Sequence, residues 1–475
     1  MATNFIIYDI GFLVIFTIFL FTFLYLRREN LKKEGILLLY RTSWGIKLIN
    51  KVGKKYSNTL KFLSYISIVT GYALMGVMFY MLGKIVYIYI TLPSVVQAIK
   101  VPPVIPLIPY IDKVVPNLGL PSFYFTYFIV IIAIIAISHE FAHGIFMRKY
   151  DIKINFTGFG FFPWFFPIFP AAFVEQDDKS MNKSGKFEQM VVLSAGTFAN
   201  LLTAILFFGI LWIFFTLAFT ASGVEFNNYP QTIVEVSAIT MINGIQINNP
   251  DYDKVLSLMD EEGLNKIKTD NNYVITKGDL EARSNNKEII PVYYDAPAIN
   301  NNLERKILKI NDVEIQSIDS LRSELSKYSP GDKITLTVLG IDDGPYNRDI
   351  VLGENPKENS LPWLGIEFAE QRRSSVMGKI YSMLNFKEDH VYYHPNFNIS
   401  LFIYYLLWWL VLISISVALV NMLPVGIFDG GRFFYLTVLG ITKNKKIAEQ
   451  SFAFVTYFFI FILFVLMFFW AISFF

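Results

Sequence analysis

The stretch Ser138-His139-Glu140-Phe141-Ala142-His143 closes an almost uninterrupted apolar run that begins at Phe123. In a helix, two histidines four residues apart lie on one face, so both imidazoles can reach a single ion. Glu140 stands beside them, close enough to act as general base on water held there. The chemistry this spacing suits is metal-assisted hydrolysis. The plainer alternative is a pair of histidines that only hydrogen-bond inside a helix bundle. Against it, a glutamate and two histidines in a membrane-length apolar run are costly and by default functional.

A catalytic zinc takes three protein ligands and leaves a fourth position for water. The chain has no cysteine, so disulfides and thiolate ligands are excluded and any zinc must be held by histidine and carboxylate. The candidate third ligand is Asp429, in Asn421-Met-Leu-Pro424-Val-Gly426-Ile-Phe-Asp429-Gly430-Gly431. Pro424 breaks the helix there and leaves Asp429 among glycines near membrane depth. A helix-ending turn with Asp429 as N-cap would explain the glycines but not an acid so close to the apolar boundary. His143 lies five residues before Arg148 and Asp429 three before Arg432, so both sit a turn or two from a basic belt. His390 and His394 repeat the four-residue spacing without a glutamate between them. They read either as a second metal site or as an aromatic turn at the membrane surface.

The elements that must position these residues are membrane spans. The chain of 475 residues is 54% hydrophobic and 17% aromatic, which marks an integral membrane protein embedded in the lipid bilayer. Its net charge of +2 argues against a nucleic-acid binder, which needs a concentrated basic face. Six stretches are long enough to span, at about 5–26, 62–82, 123–147, 191–221, 400–423 and 451–475. The first reads as a retained helix rather than a cleaved signal. Lysine and arginine crowd the loops after the first, third and fifth spans, which places both termini outside and those loops in the cytoplasm. Residues 156–175, rich in glycine, proline and aromatics, read as a re-entrant hairpin or an interfacial loop. From about 223 to 373 the chain turns polar and strand-like, an inserted extracytoplasmic domain. Inside it, 239–247 echoes 307–315, which suggests two copies of one small β-rich unit. Val376, Met377, Ile380, Tyr381 and Leu384 share a helical face, so 374–398 reads as an interfacial segment. The expected fold is thus an all-α membrane bundle, residues 1–222 and 399–475, with an inserted β-rich domain.

His139-Glu140-Phe-Ala-His143 on one span and Asn421-x-x-Pro424-x-x-x-x-Asp429-Gly430-Gly431 on another resemble the site-2 protease family of membrane-embedded zinc metalloproteases. Gly196-Thr-Phe-Ala-Asn200 is similar to the family's small-residue-plus-Asn element. The resemblance implies that His139, His143 and Asp429 bind Zn2+ and that Glu140 is the catalytic base. Gly426 and Phe428 depart from the proline and leucine usual before the Asp-Gly pair, without removing a ligand. Asn200 and Asn421 are expected partners for substrate backbone or a developing oxyanion. Residues 223–373 look like the PDZ domains inserted in such proteases, though Asn302 and Arg305 stand where glycines are usual near the ligand loop. The expected substrates are single-span membrane proteins, cut within the membrane near the cytoplasmic face. Two other readings are a membrane metal transporter, which leaves Glu140 unexplained, and a non-proteolytic relative, against which intact Glu140 counts.

Overall fold

The structure is a computed structural model that describes residues 2–34, 37–93, 96, 102–114, 120–161, 170–283, 287–340, 344–369 and 385–472. It divides into two compact units, Met1–Phe214 with Leu401–Phe475, and Phe215–Ser400. Among the described residues, six helices are long and apolar enough to cross a membrane.

The first unit opens with α1 (Ala2–Leu26), then strands β1 (Leu31–Glu34) and β2 (Leu37–Thr42), and helices α2 (Ile46–Lys55) and α3 (Ser57–Thr91). Next come α4 (Phe125–Lys149), β3 (Ile154–Phe161), β4 (Pro170–Gln176), α5 (Asp178–Lys183) and α6 (Lys186–Ala218). Apolar side chains all round α1, α3, α4 and α6 suit helices whose surroundings are lipid and other helices. The start of α4 is fixed from a distance. Asp9 of α1, only 1% exposed, accepts from the Phe125 and Thr126 backbone N–H groups at 2.8 and 2.9 Å, and from the Tyr110 and Thr126 hydroxyls. A carboxylate from a neighbouring helix thereby satisfies the first free N–H groups of α4, where negative charge is also favoured.

The four strands form one antiparallel sheet in the order β1-β2-β3-β4. Tyr40 of β2 stands opposite Phe159 of β3, and Thr157 of β3 opposite Val174 of β4. The described part of the segment expected as a hairpin or interfacial loop therefore lies in paired strands. The basic loop after the first span holds their other half, which its sequence did not announce.

The second unit is β-rich, and its described residues form two large apolar cores and a small cluster of Val274, Ala296 and Ile299. One large core is built from Val234, Ile242, Ile267, Ile275, Ile290 and neighbours, the other from Val224, Ile307, Ile310, Leu336, Ile350 and neighbours. The echoed segments form matching hairpins, Met241–Ile242 with Ile245–Gln246 and Lys306–Ile310 with Val313–Glu314. Each is followed by a short helix, α7 (Tyr252–Ser257) and α8 (Ile318–Leu325). The unit's two ends pair with each other, Phe219–Glu225 against Val391–Pro395. Entry and exit are thus adjacent, the arrangement that lets a domain be inserted in a chain. The interfacial helix expected on Val376–Leu384 lies outside the described residues.

The first unit ends with α9 (Ser400–Asn421), α10 (Asp429–Thr442) and α11 (Lys445–Ile472). The stretch between the last two spans, expected as a basic loop, contains the helix α10.

Candidate metal centre

His139 and His143 project from α4 and are 8% and 7% exposed. Their Nε2 atoms stand 3.0 Å apart, and each lies 3.4 Å from Asp429 Oδ2. Among the described residues this is the one group of three or more His, Asp or Glu side chains whose ligand atoms converge within 4.8 Å.

Asp429 arrives by a tight turn. The chain leaves α9, makes the turn Met422–Phe428, and starts α10 at Asp429 with Phe428 as N-cap. Asp429 is therefore the first helical residue rather than the cap. The two glycines behind it are required by close approach. A Cβ on Gly430 would lie 2.6 Å from the Leu423 carbonyl oxygen, and one on Gly431 would lie 2.8 Å from the Val425 carbonyl carbon. Only a helix start without side chains can pack so tightly on the preceding turn.

Helix α6 backs the histidines with a stripe four residues apart. The Val192 carbonyl oxygen is 2.6 Å from His143 Nδ1, and the Asn200 amide is 3.0 Å from His139 Nδ1. Between them, a Cβ on Gly196 would stand 2.6 Å from His139 Nε2 and collide with His143 as well. A carbonyl only accepts, so His143 carries a proton on Nδ1, and in the neutral imidazole that leaves the Nε2 lone pair bare. Asn200 is fully buried, and its Oδ1 has no partner among the described residues. The two ends of an amide have the same shape. Turned over, Oδ1 accepts from a His139 Nδ1–H and bares the second Nε2. Two bare nitrogens and a carboxylate oxygen then face one point with no proton among them, an arrangement that calls for a cation. Ligands 2.0–2.1 Å from a tetrahedral zinc stand about 3.3 Å apart, close to the spacing found here. The residues present fit the metal.

Glu140 lies beside this group, and its Oε2 accepts from the Val174 N–H of β4 at 2.9 Å. Asn421 ends α9, half-buried, eight residues ahead of Asp429. His390 and His394 belong to no such group among the described residues. The segment Val391–Pro395 is a strand, in which four residues span about 13 Å. The helical spacing rule does not apply there, so the second metal site is set aside.

Sequence reasoning missed Gly196 and the Val192 carbonyl as walls of the site. Gly196 was legible only as one end of the Gly196–Asn200 element, and a backbone carbonyl leaves no trace in the sequence. Asp9 was legible in principle, as an acid inside a span.

A donor set of this kind, in helices of membrane-crossing length, is what a multi-pass membrane metalloprotease requires. Comparison with known families reaches the same class. The chain matches the model of Peptidase family M50 over residues 127–466, well over half its length, and it belongs to that family, the site-2 proteases.

Proposed function

We propose that the protein is a zinc-dependent intramembrane endopeptidase that cuts single-span membrane proteins inside their own spans, near the cytoplasmic face. The observation that carries this reading is the convergence of His139, His143 and Asp429 beside Glu140 within helices long and apolar enough to cross a bilayer. Zinc held by the three side chains would polarise the scissile carbonyl and acidify water. Glu140 takes the proton from that water and returns it to the leaving amine nitrogen. Val192 and Asn200 hold the imidazoles in the tautomer that keeps Nε2 free.

Glu140 lies fifteen residues along α4 from Phe125, or about 22 Å at helical rise. Together with the basic loops, this supports a site in the inner half of the bilayer. Helical substrates hide their carbonyls in internal hydrogen bonds, so attack needs local unwinding. The edge of β4 that has no strand partner among the described residues could hold the unwound segment as an added strand. Substrates with Gly, Asn or Pro near that depth should therefore be cut faster than Leu-filled spans.

The inserted unit, with its two cores and matching hairpins, reads as an extracytoplasmic pair of PDZ-like domains. By topology it sits opposite the cytoplasmic loops and acts as a size filter on substrate ectodomains. The partners in this reading are membrane-protein substrates and the bilayer, with no role for nucleic acid.

The test is incubation of purified, zinc-loaded protein with a single-span substrate. Wild type should give products ending in the inner half of the span. Glu140→Gln should keep its zinc and lose roughly a hundredfold or more in rate. Full activity in that variant, or cuts in the outer half, would refute the proposal.

A further inference from the structure

β4 is the edge strand of the described sheet, with β3 on its one paired side. Val174 stands opposite Thr157 of β3, yet its N–H runs away from β3 and donates to Glu140 Oε2 at 2.9 Å. An N–H on a free strand edge is the group that an added backbone takes up. Here the candidate catalytic base already holds it.

The edge is braced close by. Arg41 of β2 reaches across β3 to Glu175, the residue after Val174, with Nη2 2.9 Å from Oε2. Arg41 stands opposite Gly158 on β3, and its guanidinium lies over the Phe156 ring, 5.5 Å from the centroid. An ion pair from β2 to the edge strand at this point braces β4, and with it the Val174 N–H, beside α4.

We propose that Glu140 and substrate backbone compete for the Val174 N–H. In the resting protein the carboxylate is parked on the strand edge. When a substrate carbonyl accepts from Val174, Glu140 is released for proton transfer, so the base is freed only by a chain already paired with β4. The step is an exchange of hydrogen bonds, with no covalent change. It rests on the peptidase reading above and adds to it a coupling between seating the substrate and freeing the base. It also sets a cost on binding, because a charge-assisted bond must give way to a neutral one.

The test measures peptide affinity in metal-free protein reconstituted in nanodiscs, so that no cleavage intrudes. The probe is a labelled apolar peptide of about 22 residues with a central Asn-Gly pair. Glu140→Ala frees the N–H and should bind the peptide roughly tenfold tighter than wild type, the worth of one hydrogen bond. Glu140→Gln loses the same charge but keeps a neutral, weaker acceptor, and should bind with an affinity between those of wild type and Glu140→Ala. Val174→Pro deletes the N–H at an outward edge position where proline is tolerated, and should weaken binding by about the same factor. Equal affinities for Glu140→Ala and Glu140→Gln overturn the competition. So does a Val174→Pro variant that retains the wild-type fold and full affinity. Failure of zinc-loaded wild type to cut this peptide would instead count against the peptidase reading, a result separate from the affinity order.

Discussion

The two units of the chain are held together by opposite means. In Phe215–Ser400 the apolar side chains of the cores face inward, as Ile242, Ile290, Ile307 and Leu336 do at 0% exposure, and ion pairs such as Lys309–Glu314 and Lys333–Asp349 lie on the surface. In the membrane unit many large apolar side chains face outward, among them Ile7 at 68% and Phe19 at 63%, while Asp9, Ser67, Ser194 and Asn200 are buried. Lipid is as apolar as leucine, so helices there gain little by hiding apolar surface from one another. What joins them is close approach at small residues and specific polar contacts, such as Ser67 Oγ to Ser194 Oγ at 2.7 Å. A single buried polar group should therefore matter more in the membrane unit than a charged pair does in the inserted one.

The largest effect should come from a residue that ligates nothing. Gly196→Ala would drive a methyl group into both imidazoles. We expect it to strip the metal nearly as completely as Asp429→Ala, with helix content unchanged, as read by metal analysis and circular dichroism of purified protein. Gly209, further along α6, has open space where a Cβ would stand, and Gly209→Ala should leave metal content intact. If the two glycine variants hold equal metal, packing of α6 on α4 does not shape the centre.

A smaller but substantial effect is expected at Asp9. Removing its carboxylate, itself 1% exposed, leaves the Phe125 and Thr126 N–H groups and the Tyr110 hydroxyl without their acceptor. Each orphaned group costs about 1–3 kcal/mol, so Asp9→Ala should lose about 3 kcal/mol or more, partly recovered by Asp9→Asn. Equilibrium unfolding in mixed micelles measures it. A loss below about 1 kcal/mol would mean that the buried polar contacts of this unit do not carry it.

Much of this arrangement can be read from the chain because its signals are local. An apolar stretch of membrane length announces a span, and two histidines four apart with a glutamate between them share a face by helical period alone. Asp429 was within reach because a carboxylate among glycines beside a helix-breaking proline has few other reasons to sit at that depth. The four-stranded sheet was not within reach. Tyr40 pairs with Phe159, more than a hundred residues away, and Leu37–Thr42 shows no polar–apolar alternation to mark it as a strand. The grip of Asp9 on α4 is equally non-local. Asn200 was visible as an intramembrane amide, but its contact with His139 depends on how α6 is turned against α4, which no local pattern records.

The smallest expected effect lies in the inserted unit and tests the other half of the comparison. Lys333 Nζ and Asp349 Oδ2 are 2.7 Å apart with both side chains more than half exposed, and Thr335 Oγ1 donates to Asp349 Oδ1 at 2.7 Å. The Lys333 bond first, and the Thr335 bond with it, hold the Asp349 carboxyl below its ordinary range. A carboxyl depressed by folding adds stability above its unfolded value, about 3.9, and loses that contribution as the pH falls through its folded value. Lys333→Ala should therefore weaken hydrogen-exchange protection of the paired strands Lys333–Leu339 and Pro345–Val351 slightly at neutral pH. The difference from wild type should shrink with added salt, and it should vanish in acid, where Asp349 is protonated in both proteins. A loss comparable to that of Asp9→Ala, or one that persists in acid, would show that surface charge carries this unit too. The contrast between a lipid-facing bundle held by buried polar groups and an insert held by apolar cores would then fail.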